Sequence, residues 1–162
     1  CMYGIGQVQV QMTPLQALRM VGAVATGLKV APRPWLVAPN PPQQITTVNP
    51  RTAEVIQECM KQVVSDPDGT VHGKFGLDSF NFAAKTGTAQ YQANMLRYHS
   101  WLVGYGPLPD PSIAFVVVCE KSRLGGGDAC APIVRELMEY LAGKDPRFYR
   151  DPSSTPAPED DR

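Results

Sequence analysis

The residues best suited to chemistry in this sequence are consecutive: Lys85-Thr86-Gly87-Thr88, inside the run Ala83-Ala84-Lys85-Thr86-Gly87-Thr88-Ala89-Gln90. Lys85 supplies a compact positive charge with three N–H donors, and Thr86 and Thr88 add hydroxyls and backbone amides. Gly87 removes the side chain that would keep a ligand away from the backbone. Such a set is fitted to an anionic ligand rather than to a core. On an edge strand it forms a rail on which an extended peptide or acyl group docks by β-augmentation, with a free N–H to hold a developing oxyanion. A surface turn can carry the same four residues, so the surrounding elements must decide.

Those elements are legible in outline. Phe80 and Phe82 alternate ahead of the rail, and a second strand over 99–106 puts Trp101, Val103 and Tyr105 on one face. A third, over 113–120, is apolar on both faces, which requires packing layers above and below the sheet. Pro107-Leu108-Pro109-Asp110-Pro111 between them predicts a tight hairpin. Thr13, Pro14 and Gln16 form an N-cap, a first-turn proline and a capping box. The helix they open carries the stripe Leu15, Leu18, Val21 and Ala25 and stops at Gly27. Asn49-Pro50 opens a second helix with Ala53, Ile56, Met60 and Val63 on one face, ending before the turn Asp66-Pro67-Asp68-Gly69. Met60 and Cys59 read as core residues. Five prolines exclude a helix from 29–42, where Trp35-Leu36-Val37 reads as a short extended piece.

Gly125-Gly126-Gly127-Asp128 reads as a loop leading to a closing helix from about Ala131, with Ile133, Val134, Leu137, Met138 and Leu141 as its stripe and Gly143 beyond its end. The expected class is α/β (α+β): an antiparallel sheet of three strands sandwiched by helices, two of them preceding it and one closing it. Residues 1–144 form one unit, and 145–162, rich in proline and acid, are expected to be a disordered tail.

Composition narrows the partners. A formal net charge of zero argues against nucleic acid or an anionic membrane as the main partner. No apolar run approaches the roughly 18 residues of a membrane span. The four cysteines lack paired CxxC spacing and histidines at ligand spacing, so neither zinc nor another cofactor is expected. Cys119 and Cys130 flank the glycine loop and are either bridged or buried free thiols.

In order along the chain, Gly4-Ile5-Gly6-Gln7, Thr13-Pro14-Leu15-Gln16, Val48-Asn49-Pro50 with Gly69-Thr70, Lys85-Thr86-Gly87-Thr88-Ala89-Gln90 and His99-Ser100-Trp101-Leu102-Val103-Gly104-Tyr105 stand as a set of landmarks. Together they resemble the second half of a penicillin-binding protein transpeptidase domain, of the β-lactamase/transpeptidase-like fold, over roughly residues 3–142. The closest subtype is class B, the monofunctional D,D-transpeptidases.

The resemblance implies roles. Lys85 would hold positive potential and assist proton transfer, Thr86 would bind the carboxylate of a peptide terminus or β-lactam, and Gly87 would admit the ligand. The Thr88 N–H would form half of the oxyanion hole. It also implies peptidoglycan stem peptides and β-lactams as ligands, and a parent outside the cytoplasm anchored by an N-terminal span. The family's nucleophile lies in a Ser-x-x-Lys motif, yet no serine of this chain has lysine three positions on. Ser79-Phe80-Asn81 matches the family's Ser-x-Asn motif by letters alone, because it falls too close to Lys85. The start at Cys1-Met2-Tyr3-Gly4 reads as a fragment whose partner is the N-terminal half of the domain. A D-Ala-D-Ala carboxypeptidase, a β-lactamase and a non-catalytic peptide-binding homologue are the alternatives.

Overall fold

The computed structural model describes residues 11–31, 41, 43–45, 49–92 and 95–151. Its centre is an antiparallel sheet of three strands, β3 (Ala83–Gln92), β4 (Met95–Gly106) and β5 (Ile113–Ser122), in that spatial order. Around it lie helices α1 (Pro14–Ala25), α2 (Pro50–Ser65) and α3 (Gly126–Ala142), and a two-strand ribbon of β1 (Val30–Ala31) and β2 (Gln43–Gln44).

The pleat sorts the strand residues between two cores. Ala84, Leu102 and Phe115 turn to one face, where Cys130, Val134 and Met138 of α3 meet them. Ala83 and Tyr105 turn to the other and pack with Val21 and Val24 of α1 and Met60 of α2. Helix α2 closes the flank at β3, sending Met60 to one core and Val64 to the other. The sandwich expected from a strand apolar on both faces is therefore present.

Local signals explain the helix starts. Thr13 N–H donates to Gln16 Oε1 at 2.7 Å and Gln16 N–H donates to Thr13 Oγ1 at 3.2 Å, a reciprocal capping box. Asn49 Oδ1 accepts from Arg51 N–H at 2.9 Å and caps α2. Helix α1 ends at Ala25 with Thr26 as its C-cap, and Gly27 follows at φ 68°.

Several expectations need correction. The closing helix starts at Gly126 rather than near Ala131, so the glycine run is its first turn and not a loop. An added Cβ on Gly126 would collide with the carbonyl of Gly87 and stand 2.5 Å from that of Trp101. Bare glycine lets the helix begin directly on the sheet backbone. Cys59 is exposed, because the buried face of α2 is set by Ala53, Met60 and Val64. Leu15 and Ile133, placed in apolar stripes by periodicity, are exposed. Gly143 caps α3 in the right-handed region.

The proline-rich connection 107–112 is a wider loop than a tight hairpin, closed by Ser112 N–H donating to Gly106 O at 2.9 Å. Residues 145–150, grouped with the tail by composition, pack instead. Phe148 is buried, and the Tyr149 ring stacks on Phe80 at 5.5 Å. Residues 152–162 and Trp35-Leu36-Val37 lie outside the described residues. Cys119 and Cys130 are free thiols with sulfurs 3.8 Å apart, and burial, with the Cys119 contact second, pushes the Cys130 thiol up to about 12. No helix among the described residues is long and apolar enough to cross a membrane.

Candidate active site

Among the described residues strand β3 pairs only with β4 and stands at an edge of the sheet. Its register sets Lys85 opposite Val103, Gly87 opposite Trp101 and Thr88 opposite Ser100. Residues alternate across the pleat, so Lys85 and Gly87 belong to the α1 face and Thr86 and Thr88 to the α3 face. Each side carries a cavity.

The larger, about 570 Å³, lies between the rail and α1 and is lined by all four residues of Lys85-Thr86-Gly87-Thr88. Met12, Ala17, Met20, Trp101, Val103 and Val118 give it apolar walls, and His99 and Glu120 add polar groups. Lys85 is exposed, and its Nζ donates to the Thr86 carbonyl at 2.7 Å.

On the other side, an open cavity of about 310 Å³ is lined by Thr70, Lys74, Thr86, Thr88 and the start of α3. Gly126 N–H, the first of α3, donates to Thr88 Oγ1 at 3.0 Å. The Thr86 hydroxyl shares a hydrogen bond of 3.0 Å with that of Thr70. Lys74 Nζ pairs with Asp128, tying the turn after α2 to the first turn of α3. An acid in the first turn of a helix complements its dipole.

The structure thus brings together the four residues predicted from sequence. It adds Thr70, Lys74, Asp128 and the Gly126 amide, which sequence reasoning passed over. Thr70 stood out there only as a landmark beside Gly69, and Asp128 only as part of a supposed loop.

Ser79-Phe80-Asn81 serves the fold. Ser79 Oγ donates to Gly76 O at 2.7 Å, and Asn81 Nδ2 donates to Leu108 O at 2.7 Å, holding the proline loop. Neither lines a cavity described above. Among the described residues no group of three or more His, Cys, Asp or Glu side chains converges on a point that could hold a metal ion.

The chain is similar in sequence and in fold to known proteins. Peptidoglycan D,D-transpeptidase PbpA of Mycolicibacterium smegmatis is 30% identical over 157 residues, covering 85% of this chain and 30% of that protein. Pseudomonas aeruginosa PBP2, solved in complex with WCK 5153, superposes with a TM-score of 0.69 at 26% identity, over 96% of this chain and 35% of that one. Penicillin-binding protein A of M. tuberculosis, solved as a ceftriaxone acyl-enzyme complex, gives 0.66 at 26% identity, over 85% and 34%. The chain spans about a third of the length of these proteins. The family described as penicillin binding protein transpeptidase domain matches residues 1–139. On that match, and with the Lys-Thr-Gly-Thr strand at an edge of its sheet, the chain belongs to the penicillin-binding protein transpeptidase domain family.

Proposed function

We propose that this chain is part of a serine D,D-transpeptidase that cross-links peptidoglycan stem peptides through an acyl-enzyme and is acylated by β-lactams. The observation that carries the reading is the cavity of about 570 Å³ lined by all four residues of Lys85-Thr86-Gly87-Thr88 at a sheet edge. An extended acyl donor docks along that edge by adding itself as a strand. Lys85 holds positive potential in the groove and assists proton transfer. Thr86 donates to the carboxylate of the donor peptide or of a β-lactam, and Gly87 lets the scissile amide approach the backbone.

The Thr88 N–H supplies one of two donors to the oxyanion. One such donor is worth about 10²–10³ in rate. The nucleophile is the serine of a Ser-x-x-Lys motif, which these 162 residues do not contain. It comes from the N-terminal half of the same domain, seated against the α1 side of the groove. The whole enzyme works outside the cytoplasm, anchored by an N-terminal transmembrane helix.

Fluorescent penicillin tests the reading. A folded full-length protein becomes covalently labelled and holds the label for many turnover times of a hydrolase. A protein that folds but never labels sinks the proposal. Rapid loss of the label would select a carboxypeptidase or β-lactamase on the same fold.

A further inference from the structure

The two threonines of the rail have different partners, and that difference points to a residue outside the strand. A backbone N–H can only donate, so Thr88 Oγ1, which receives Gly126 N–H, keeps its own hydrogen for the groove. Thr86 meets a hydroxyl instead, that of Thr70, and a pair of hydroxyls can run in either direction.

The position of Thr70 is fixed from both sides. At Gly69 an added Cβ would stand 2.5 Å from Val63 O and 2.6 Å from Gln62 O, so glycine alone lets this turn lie against the end of α2. Val71 is fully buried, and its N–H donates to Val63 O at 3.1 Å. Lys74, paired with Asp128, ties the same turn to α3. Between these anchors Thr70 is exposed, and it lines the smaller cavity together with Thr86 and Thr88.

Resting on the acyl-transfer reading above, we propose that Thr70 is a positioning residue for the acyl donor: it donates to Thr86 Oγ1 and so turns the Thr86 hydrogen toward the donor's carboxylate. An anion accepts and cannot donate, which fixes the direction from Thr70 to Thr86 to carboxylate. Each bond in such a chain polarises the next. Thr88, held by the α3 amide, works beside it without needing a second side chain.

The test uses the full-length protein with benzylpenicillin and with benzylpenicillin methyl ester, whose carboxylate is neutralised. Thr70→Val keeps the shape of threonine and removes the hydroxyl, and Thr70→Ser keeps the hydroxyl. The second-order rate of acylation by benzylpenicillin falls about fivefold in Thr70→Val and stays at the wild-type level in Thr70→Ser. With the ester, wild type and Thr70→Val react alike. Thr70→Ala gives a second truncation should the valine methyl disturb the turn.

Equal acylation of wild type and both truncations by benzylpenicillin overturns the assignment. So does a loss that is the same for acid and ester, or that serine does not restore, since either marks a purely structural role. A wild-type protein that takes up no penicillin overturns the acyl-transfer reading itself, and the assignment with it. Labelling of the wild type therefore tells the two failures apart.

Discussion

The two faces of one sheet are built to different ends. Toward α3 the packing is closed except at the small cavity by the helix start: Leu102, Cys130, Val134 and Met138 are all fully buried, and Gly126 brings helix backbone onto strand backbone. Toward α1 the strands β3 and β4 meet a cavity of about 570 Å³, and Met12, Leu15 and Met20 of the α1 region remain exposed. Leu102 and Val103 are sequence neighbours, one sealed in a core and the other on the wall of a groove. Alternation along a strand makes this possible, since one stretch of backbone can serve a rigid platform and an open site at once. The α3 side fixes the rail and keeps only the small cavity where Thr86 meets Thr70, while the α1 side opens on the larger one.

Substitutions on the two faces should separate stability from reactivity. Lys85→Ala on the open side lowers penicillin acylation of the full-length protein about 10²–10⁴-fold, the range for a lost proton-transfer group, and leaves the melting temperature unchanged because Lys85 is exposed. Met138→Ala on the closed side costs about 3 kcal/mol of stability, read by denaturant unfolding, while the folded fraction acylates normally. Should Lys85→Ala unfold the protein, or Met138→Ala abolish acylation of folded molecules, the division between faces fails.

Gly126→Ala probes where the faces meet. Its methyl would press on the carbonyls of Gly87 and Trp101, so α3 must lift from the rail. A loss of about 2 kcal/mol is expected, together with slower acylation, because the Gly126 amide holds Thr88. A variant that loses stability alone would show that the rail keeps its geometry without the helix start.

The difference between the faces also explains what could be read from the sequence. Helix caps such as Thr13 and Asn49 act within a few residues, and the rail announces itself by residue type, so both were legible. The roles of Thr70 and Gly126 arise from contacts with Thr86 and Thr88, far away along the chain, and no local pattern encodes them. Periodicity alone placed Leu15 and Ile133 in cores, but a stripe does not say how wide the covering layer is. Phe148 was lost to the composition of its neighbours: prolines and charges made the segment look like tail, yet its buried ring, the Tyr149 stack on Phe80 and backbone hydrogen bonds to Ser79 and Asn81 pin it.

The smallest expected effect lies in the alkaline range, where each core holds one acid in its neutral form. Burial, with Glu58 nearby as the second cause, raises the Tyr105 phenol on the α1 side from 10.0 to about 12, and burial raises the Cys130 thiol on the α3 side from 9.0 to about 12. In the unfolded chain both groups lose their protons near their ordinary values. Between pH 9 and 12 the unfolded state therefore binds fewer protons than the folded one, and stability falls as pH rises, with nothing lost below that window. Tyr105→Phe keeps the ring and removes the ionisable group, so its unfolding free energy should decline less steeply than that of wild type from pH 10 to 12. Unchanged steepness in the variant would mean that water reaches the Tyr105 hydroxyl and that the core beside α1 is looser than its buried side chains indicate.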